Sequence, residues 1–384
     1  MSWLHGACGC CAVDLSRIID IEIDGTHIWA TGDILDAPGT DHIDQGQYIK
    51  ATGAGPNWVF EPKTFLRLFR DGVDTYWSEE RIISPVPATI RKVNTLGVQQ
   101  WSDSRSAVGP SIGARNSNVS PVIFSWAGFK ASVAVVASNV FTINDTTGVD
   151  IGGTAYTETI IRVRDIIYDS PNDVWYLSGQ THAIVGQPIH ASIMKRTSAV
   201  AGGPDPLGFV WQTNPFGTLL RGDLTRLGLG TSAIFALGFE RDVVGDVLTK
   251  LMAFNTATGA VLDTFLPNGN NFLTLPTGFR GDLWVIGDDC YIVHHAGPSP
   301  TLTVFQKVPF TAGLFGAPTK TLDIGALLPP PYDTTPVFLN AVAADGTDIF
   351  LGADDQLKFG PGNEQGPNLW SIDEATLAIN WQLL

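Results

Sequence analysis

Charge is scarce in this sequence. Only 16% of its 384 residues are Asp, Glu, Lys or Arg, and cations are the scarcer half, 23 against 38 acids. The formal charge of −15 opposes a phosphate backbone, whose binding relies on clustered cations that release counterions, so no nucleic-acid partner is expected. Cysteine is also sparse: Cys8, Cys10 and Cys11 lie together and Cys290 stands far away, which does not build a disulfide framework. No apolar run approaches the roughly 20 residues of a membrane span. The most apolar stretch, 121–141, is broken by Lys130, Asn139 and several serines, so no span is expected. The opening residues, MSWLHGACGCCAVDL, lack the basic and apolar segments of a secretory signal, and the chain is expected to start in a cytoplasm. HExxH, Walker, GxGxxG and EF-hand patterns are missing, as is the SxDxGxTW phrase of sialidases.

Apolar material is plentiful: 44% hydrophobic residues, with 11 Trp and 20 Phe, exclude a disordered chain. Gly (41) and Pro (24) demand many turns, and stretches of helical period are hard to find, so the chain reads as all-β. One phrase recurs: a turn rich in Asp, Asn, Gly or Ser, then an apolar strand with an aromatic in its middle. It marks Trp29, Trp77, Phe124, Trp175, Phe235, Tyr291 and Phe350, separated by 47 to 60 residues. The fifth unit divides at its Gly, Asn and Thr joins into RGDLTRLGLG, SAIFALGFE, TKLMAFNTATG and AVLDTFL, and the seventh divides alike. Aromatics recur in the fourth strand as Trp58, Trp101, Trp211, Phe265 and Trp381. Repeats of this length with four strands each predict a seven-bladed β-propeller of four-stranded antiparallel blades over 17–384, preceded by a Cys-rich arm over 1–16. Radial stacking covers both faces of every sheet and leaves short outer edges.

The phrases LMAFNTATGAVL and LWSIDEATLAINW resemble the third-to-fourth-strand turns of quinoprotein-like and YVTN-type repeat propellers. The resemblance implies an architecture. Quinone-dependent dehydrogenases of that architecture carry a repeated Trp-docking phrase in most blades, which is not read in this chain. A first strand at SRIIDIEIDG and a last at AINWQLL leave no strand to exchange between first and last blades, so the ring must close otherwise; the arm is a candidate to tie the seam or to reach a partner.

His5, Cys8, Cys10 and Cys11 are four soft ligands in seven residues, candidates for Zn²⁺ or an iron–sulfur centre, for cross-linking, or for plain structural thiols. A second pattern is positional. Nine to twelve residues before the marker aromatic, the inner strand carries Asp20, Asp165, Asp223, Asp282 or the related Asn340, often with an Arg upstream (Arg17, Arg164, Arg221, Arg280). Such residues would ring the axial channel and either hold Ca²⁺ or tie neighbouring blades through hydrogen bonds and ion pairs. The two RGDL strings, from Arg221 and from Arg280, occupy equivalent repeat positions and read as repeat residues. GPSIG, centred on Ser111, lacks the strand-to-helix setting of a nucleophile elbow. Cys290 and His294 share a strand face while His295 faces away, a weak metal pattern.

The expected function is a non-enzymatic scaffold: a bacteriophage virion component such as a tail, baseplate, fibre-adaptor or decoration protein, contacting other virion proteins or copies of itself after assembly in the host cytoplasm. The alternatives are a lyase, glycosidase or quinone-type oxidoreductase working at the channel mouth, or a glycan-binding lectin.

Overall fold

The computed structural model describes residues 17–36, 40–42, 45–55, 65–71, 74–79, 88–105, 112–116, 123–131, 136–156, 162–182, 189–197, 209–216, 221–242, 244–273, 281–295, 303–323, 339–353 and 369–383. The arm over 1–16 and Trp58 lie outside them. No helix occurs among the described residues. The first sheet holds β1 (Arg17–Ile23) and β2 (His27–Asp36), with β3 (Thr40–His42) and β4 (Gln45–Ile49) both paired to β2. β5 (Phe65–Asp71), β6 (Asp74–Glu79), β7 (Ala88–Val93) and β8 (Gln99–Arg105) make the second; β9 (Ile112–Asn116), β10 (Ile123–Ala131), β11 (Val136–Asn144) and β12 (Asp150–Tyr156) the third. β13 (Arg162–Asp169), β14 (Val174–His182), β15 (Ile189–Thr197) and β16 (Phe209–Thr213) follow, then β17 (Arg221–Leu229), β18 (Ile234–Arg241), β19 (Val247–Phe254) and β20 (Val261–Phe265). The sixth sheet has β21 (Gly281–Ile286), β22 (Asp289–His295) and β23 (Thr303–Thr311), with β24 (Leu314–Phe315) and β25 (Lys320–Asp323) both on β23. The last is β26 (Leu339–Ala344), β27 (Asp348–Ala353), β28 (Leu369–Asp373) and β29 (Ile379–Leu383).

Each sheet is an antiparallel meander, and the leading strands touch in the order β1, β5, β9, β13, β17, β21, β26 and back to β1. The protein is a β-propeller with four-stranded antiparallel blades. Its core lies between the sheets, which explains why strands such as IFALGFER in β18 are apolar almost throughout: both faces are covered, and seven of the eight residues are buried. The marker aromatics all fall on the second strand of their sheets, and Trp29, Trp175, Phe235, Tyr291 and Phe350 are fully buried.

The fourth-strand tryptophans pack on the neighbouring unit at three joints. Trp101 of β8 donates its indole N–H to the Asp145 carbonyl of the next sheet at 2.7 Å, Trp211 of β16 to Thr256 at 3.3 Å, and Trp381 of β29 to Lys50 at 2.9 Å. Each acceptor sits in the turn that follows a third strand. Asn144 and Asn255 fold two of these turns by accepting two backbone N–H groups each through their side-chain oxygens. The tryptophans lie against Gly53, Gly148 and Gly259, whose φ values of 68°, 71° and 72° favour glycine and where an added Cβ would come within 2.7 Å of the Trp side chain.

Two further side chains complete the Trp101 and Trp211 joints and recur at the joint between the sixth and last sheets. Tyr76, Tyr176 and Tyr291 lie opposite Lys92, Lys195 and Lys307 on the neighbouring strand, each ammonium 5.0 to 5.6 Å from the ring centre. The Tyr76 hydroxyl donates to Asp145 at 2.7 Å and that of Tyr291 to Glu374 at 3.0 Å, while the lysines reach Asp145, the Thr256 carbonyl and Glu374. Thr256 stands where its counterparts are acidic, and among the described residues the buried Tyr176 hydroxyl has no hydrogen-bond partner. Burial, with Asp169 adding to it, pushes that phenol up to about 12.

The seam between first and last sheets uses the same devices. Among the described residues no strand crosses it. Trp381 seats on the turn after β4, Lys50 pairs with Asp345 at 2.6 Å, and the Asn340 amide donates to the Ile18 carbonyl at 3.4 Å. Ile18, Ile21, Ala341, Ala343 and Phe350 form one apolar cluster across it.

Trp381→Ala is expected to lower unfolding stability by up to about 3 kcal/mol, the low end of the cost of emptying an aromatic site because the ring is only partly buried. Trp381→Phe should cost about 1 kcal/mol for the lost hydrogen bond plus part of the packing, and urea unfolding of the two variants checks the ranking. Thr256→Asp should stabilise by about 1 kcal/mol by giving the Tyr176 hydroxyl an acceptor, a gain that Tyr176→Phe in the same background should abolish.

Candidate functional site

The inner strands are bent at one recurrent place. β1, β13 and β17 each shift register by a bulge just before Asp20, Asp165 and Arg226, and a bulge re-aims the side chain that follows it. Asp20 accepts the Leu68 N–H, Asp165 the Leu227 N–H and Asp282 the Val342 N–H, each at 2.8 Å and each from the inner strand of the next sheet. The axial aspartates therefore act as ties between blades. Arg164 on β13 makes another such tie, reaching Asp223 on β17 at 2.7 Å.

Arg226 crosses the axis. Its guanidinium meets Asp20 of the first sheet at 3.0 Å and Asp282 of the sixth in close contact, with all three side chains buried. These groups line an axial cavity of about 240 Å³ together with Glu22, Asp165, Phe69 and Trp284. Burial raises every carboxyl in the wall. Asp282 is held up at about 6 although Arg226 pulls it down, and Asp20 is raised under the same opposition. Asp165 and Glu22 stand well above the usual carboxylate range, first from burial and then from the neighbouring acids, with Arg70 and Arg226 partly offsetting the effect at Glu22. Arg226 is held protonated by its two partners against the cost of its own burial.

Of the five axial residues expected from the sequence, Asp20, Asp165 and Asp282 converge on this cavity. The other two do not line it. Asp223 precedes the bulge in β17, three residues short of the position that Arg226 takes, and is engaged by Arg164. Asn340 falls at the register shift of β26 and serves the seam. Arg226 and Glu22 were missed. Arg226 lies nine residues before Phe235, as Asp20 does before Trp29 and Asp282 before Tyr291, with Asp165 ten before Trp175, so a spacing of nine or ten finds it where a window of nine to twelve also admits Asp223. Glu22 follows Asp20 by two, the period that returns a strand residue to the same face.

His5, Cys8, Cys10, Cys11, Ser111 and Arg280 lie outside the described residues. Among those described, no group of three or more His, Cys, Asp or Glu is placed to hold a metal ion. Cys290 is a free, buried thiol whose pKa burial pushes up, far from thiolate chemistry. His294 is fixed between the His295 carbonyl at 3.0 Å and Gln306 at 3.2 Å, and burial lowers its pKa. Among the described residues no helix is long and apolar enough to cross a membrane.

Acids raised on folding bind more protons in the folded than in the unfolded chain, so their contribution is complete below about pH 4 and is lost as pH climbs through the folded values, near 6 for Asp282. Asp24 and Asp345, lowered by backbone hydrogen bonds and by Arg70 and Lys50, act oppositely, but their loss begins only below the ordinary carboxylate range. The melting temperature is therefore expected to fall between pH 5 and pH 7.5. Glu22→Gln should flatten that slope, each excess proton being worth about 1.4 kcal/mol per pH unit; calorimetric melts of both proteins across this range provide the check.

No protein-family model matches the sequence, and a search of curated proteins finds no match. Solved structures do share the fold. The β-propeller domain of the trilobed protease from Pyrococcus furiosus, described as having an open velcro topology, superimposes with a TM-score of 0.51 at 9% identity, covering 96% of this chain and 98% of that one. The quinohemoprotein alcohol dehydrogenase of Comamonas testosteroni gives 0.51 at 8% identity over 96% of this chain and 68% of that one. That of Pseudomonas putida HK5 gives 0.50 at 10% identity over 96% and 67%. At these identities the likeness establishes a β-propeller and carries no activity with it.

Proposed function

We propose that this protein is a non-enzymatic interaction scaffold: a seven-bladed ring acting as a bacteriophage virion component, in contact with neighbouring virion proteins or further copies of itself and assembled in the host cytoplasm. The blade number is supported by one sheet per marker aromatic and by the closed order of inner-strand contacts. The observation that carries the scaffold reading is how the axial polar groups are used. Asp20, Asp165 and Asp282 each accept an N–H from the next blade, and Arg226 bridges two of them, so these four groups help to hold the ring rigid. Acidic charge and few cations support a protein partner over nucleic acid. A lectin is less favoured because the marker aromatics Trp29, Trp175, Phe235, Tyr291 and Phe350 are buried.

A second reading, an enzyme at the channel mouth, draws on the axial cavity with its raised carboxyls, which suit acid–base work. The two readings separate in one experiment. A scaffold sediments with intact particles or as repeated copies in a complex, and removing residues 1–13 leaves the ring folded while assembly is lost. Isolation as a monomer with turnover on a sugar or alcohol, abolished by Glu22→Gln, overturns it. Metal analysis of the full and truncated proteins tests His5, Cys8, Cys10 and Cys11 as ligands of Zn²⁺ or an iron–sulfur centre.

A further inference from the structure

Glu22 and Asp165 are the two cavity carboxyls that Arg226 does not pair. Asp165 is more than nine-tenths buried and accepts N–H groups from Leu227 and Ile166, both at 2.8 Å, which leaves half of its lone-pair sites open. Glu22 makes no hydrogen bond among the described residues, although it lines the cavity two positions from Asp20. The remaining wall is apolar and aromatic and includes Phe69, Ile167, Trp284 and Val285. A cavity of about 240 Å³ is far larger than one inorganic ion occupies, and a concave, largely apolar site with a few convergent polar groups is the usual form of a small-molecule site. A positive charge on a small hydrocarbon body satisfies both halves of this lining: the carboxylates gain a partner they lack, and the rings gain a cation and methylene groups.

We infer that the axial cavity binds a small organic ammonium ion of the alkylamine class, with its nitrogen between Glu22 and Asp165 and its carbon chain against Phe69 and Trp284. The inference does not rest on the scaffold reading. Binding should release protons, because the carboxyls facing the site must ionise to hold a cation. The charged and titratable groups facing it are Asp20 and Glu22 on β1, Asp165 on β13, Arg226 on β17 and Asp282 on β21, with Arg70 of β5 acting on Glu22 from the side and β26 presenting the apolar Val342.

Titration calorimetry of the full chain with n-butylammonium tests this, using 1-butanol and Ca²⁺ as comparison ligands. Saturable binding is expected, at least about tenfold tighter at pH 8 than at pH 5, with proton release seen as a dependence of the heat on the buffer's ionisation enthalpy. Glu22→Gln should weaken it at least about tenfold while the circular dichroism spectrum stays unchanged. Absence of saturable heat, equal binding of 1-butanol, preference for Ca²⁺, or full affinity in a folded Glu22→Gln variant would each overturn the assignment. Should that variant not fold, an absence of proton release in the unaltered protein overturns it equally.

Discussion

The joint between neighbouring sheets is the constraint on which this structure depends. A lone four-stranded sheet has two faces that water solvates poorly, and apolar stacking would cover them in many orientations. What selects one orientation is the next sheet's tight turn, at which the second, third and fourth strands aim a phenol, an ammonium or an indole N–H. The turn must be rigid for this to work, which is why Asn144 and Asn255 fold it from within and a left-handed glycine clears room for the ring.

Around the axis the same task falls to charge. Buried carboxylates are costly unless paired or hydrogen-bonded, and here each aspartate meets that requirement through the neighbouring strand, so the cost is met only when the sheets are correctly stacked. Arg226 extends the arrangement across the ring by joining the first and sixth sheets through the fifth. The surplus of acids over this guanidinium, among the described residues, gives the cavity its electrostatic character.

Much of this was legible in the sequence, because the blade is a local unit. Turn, aromatic and apolar run follow one another within a few residues, so strand positions and three of the cavity acids could be read directly. The docking joints could not. Their acceptors are largely backbone carbonyls, indifferent to side-chain identity, so Lys50, Asp145 and Thr256 fill one role without forming a visible phrase. The Tyr–Lys pairs escape notice for a related reason: Tyr76 and Lys92, or Tyr291 and Lys307, meet across strands, at separations that carry no pattern along the chain. A pattern that admits only acids selects Asp223 over Arg226, whereas the register is indifferent to the sign of the charge.

The seam has a topological consequence. Its indole, its ion pair and its apolar cluster are those of an internal joint, so covalent continuity from one sheet to the next is not what holds the circle shut. A circularly permuted chain, its old ends linked and new ones opened in another join between sheets, would possess every stabilising contact of the original. The cyclic order of the sheets is thus what the mechanics require, and the point on the circle at which the ribosome begins is a matter of history.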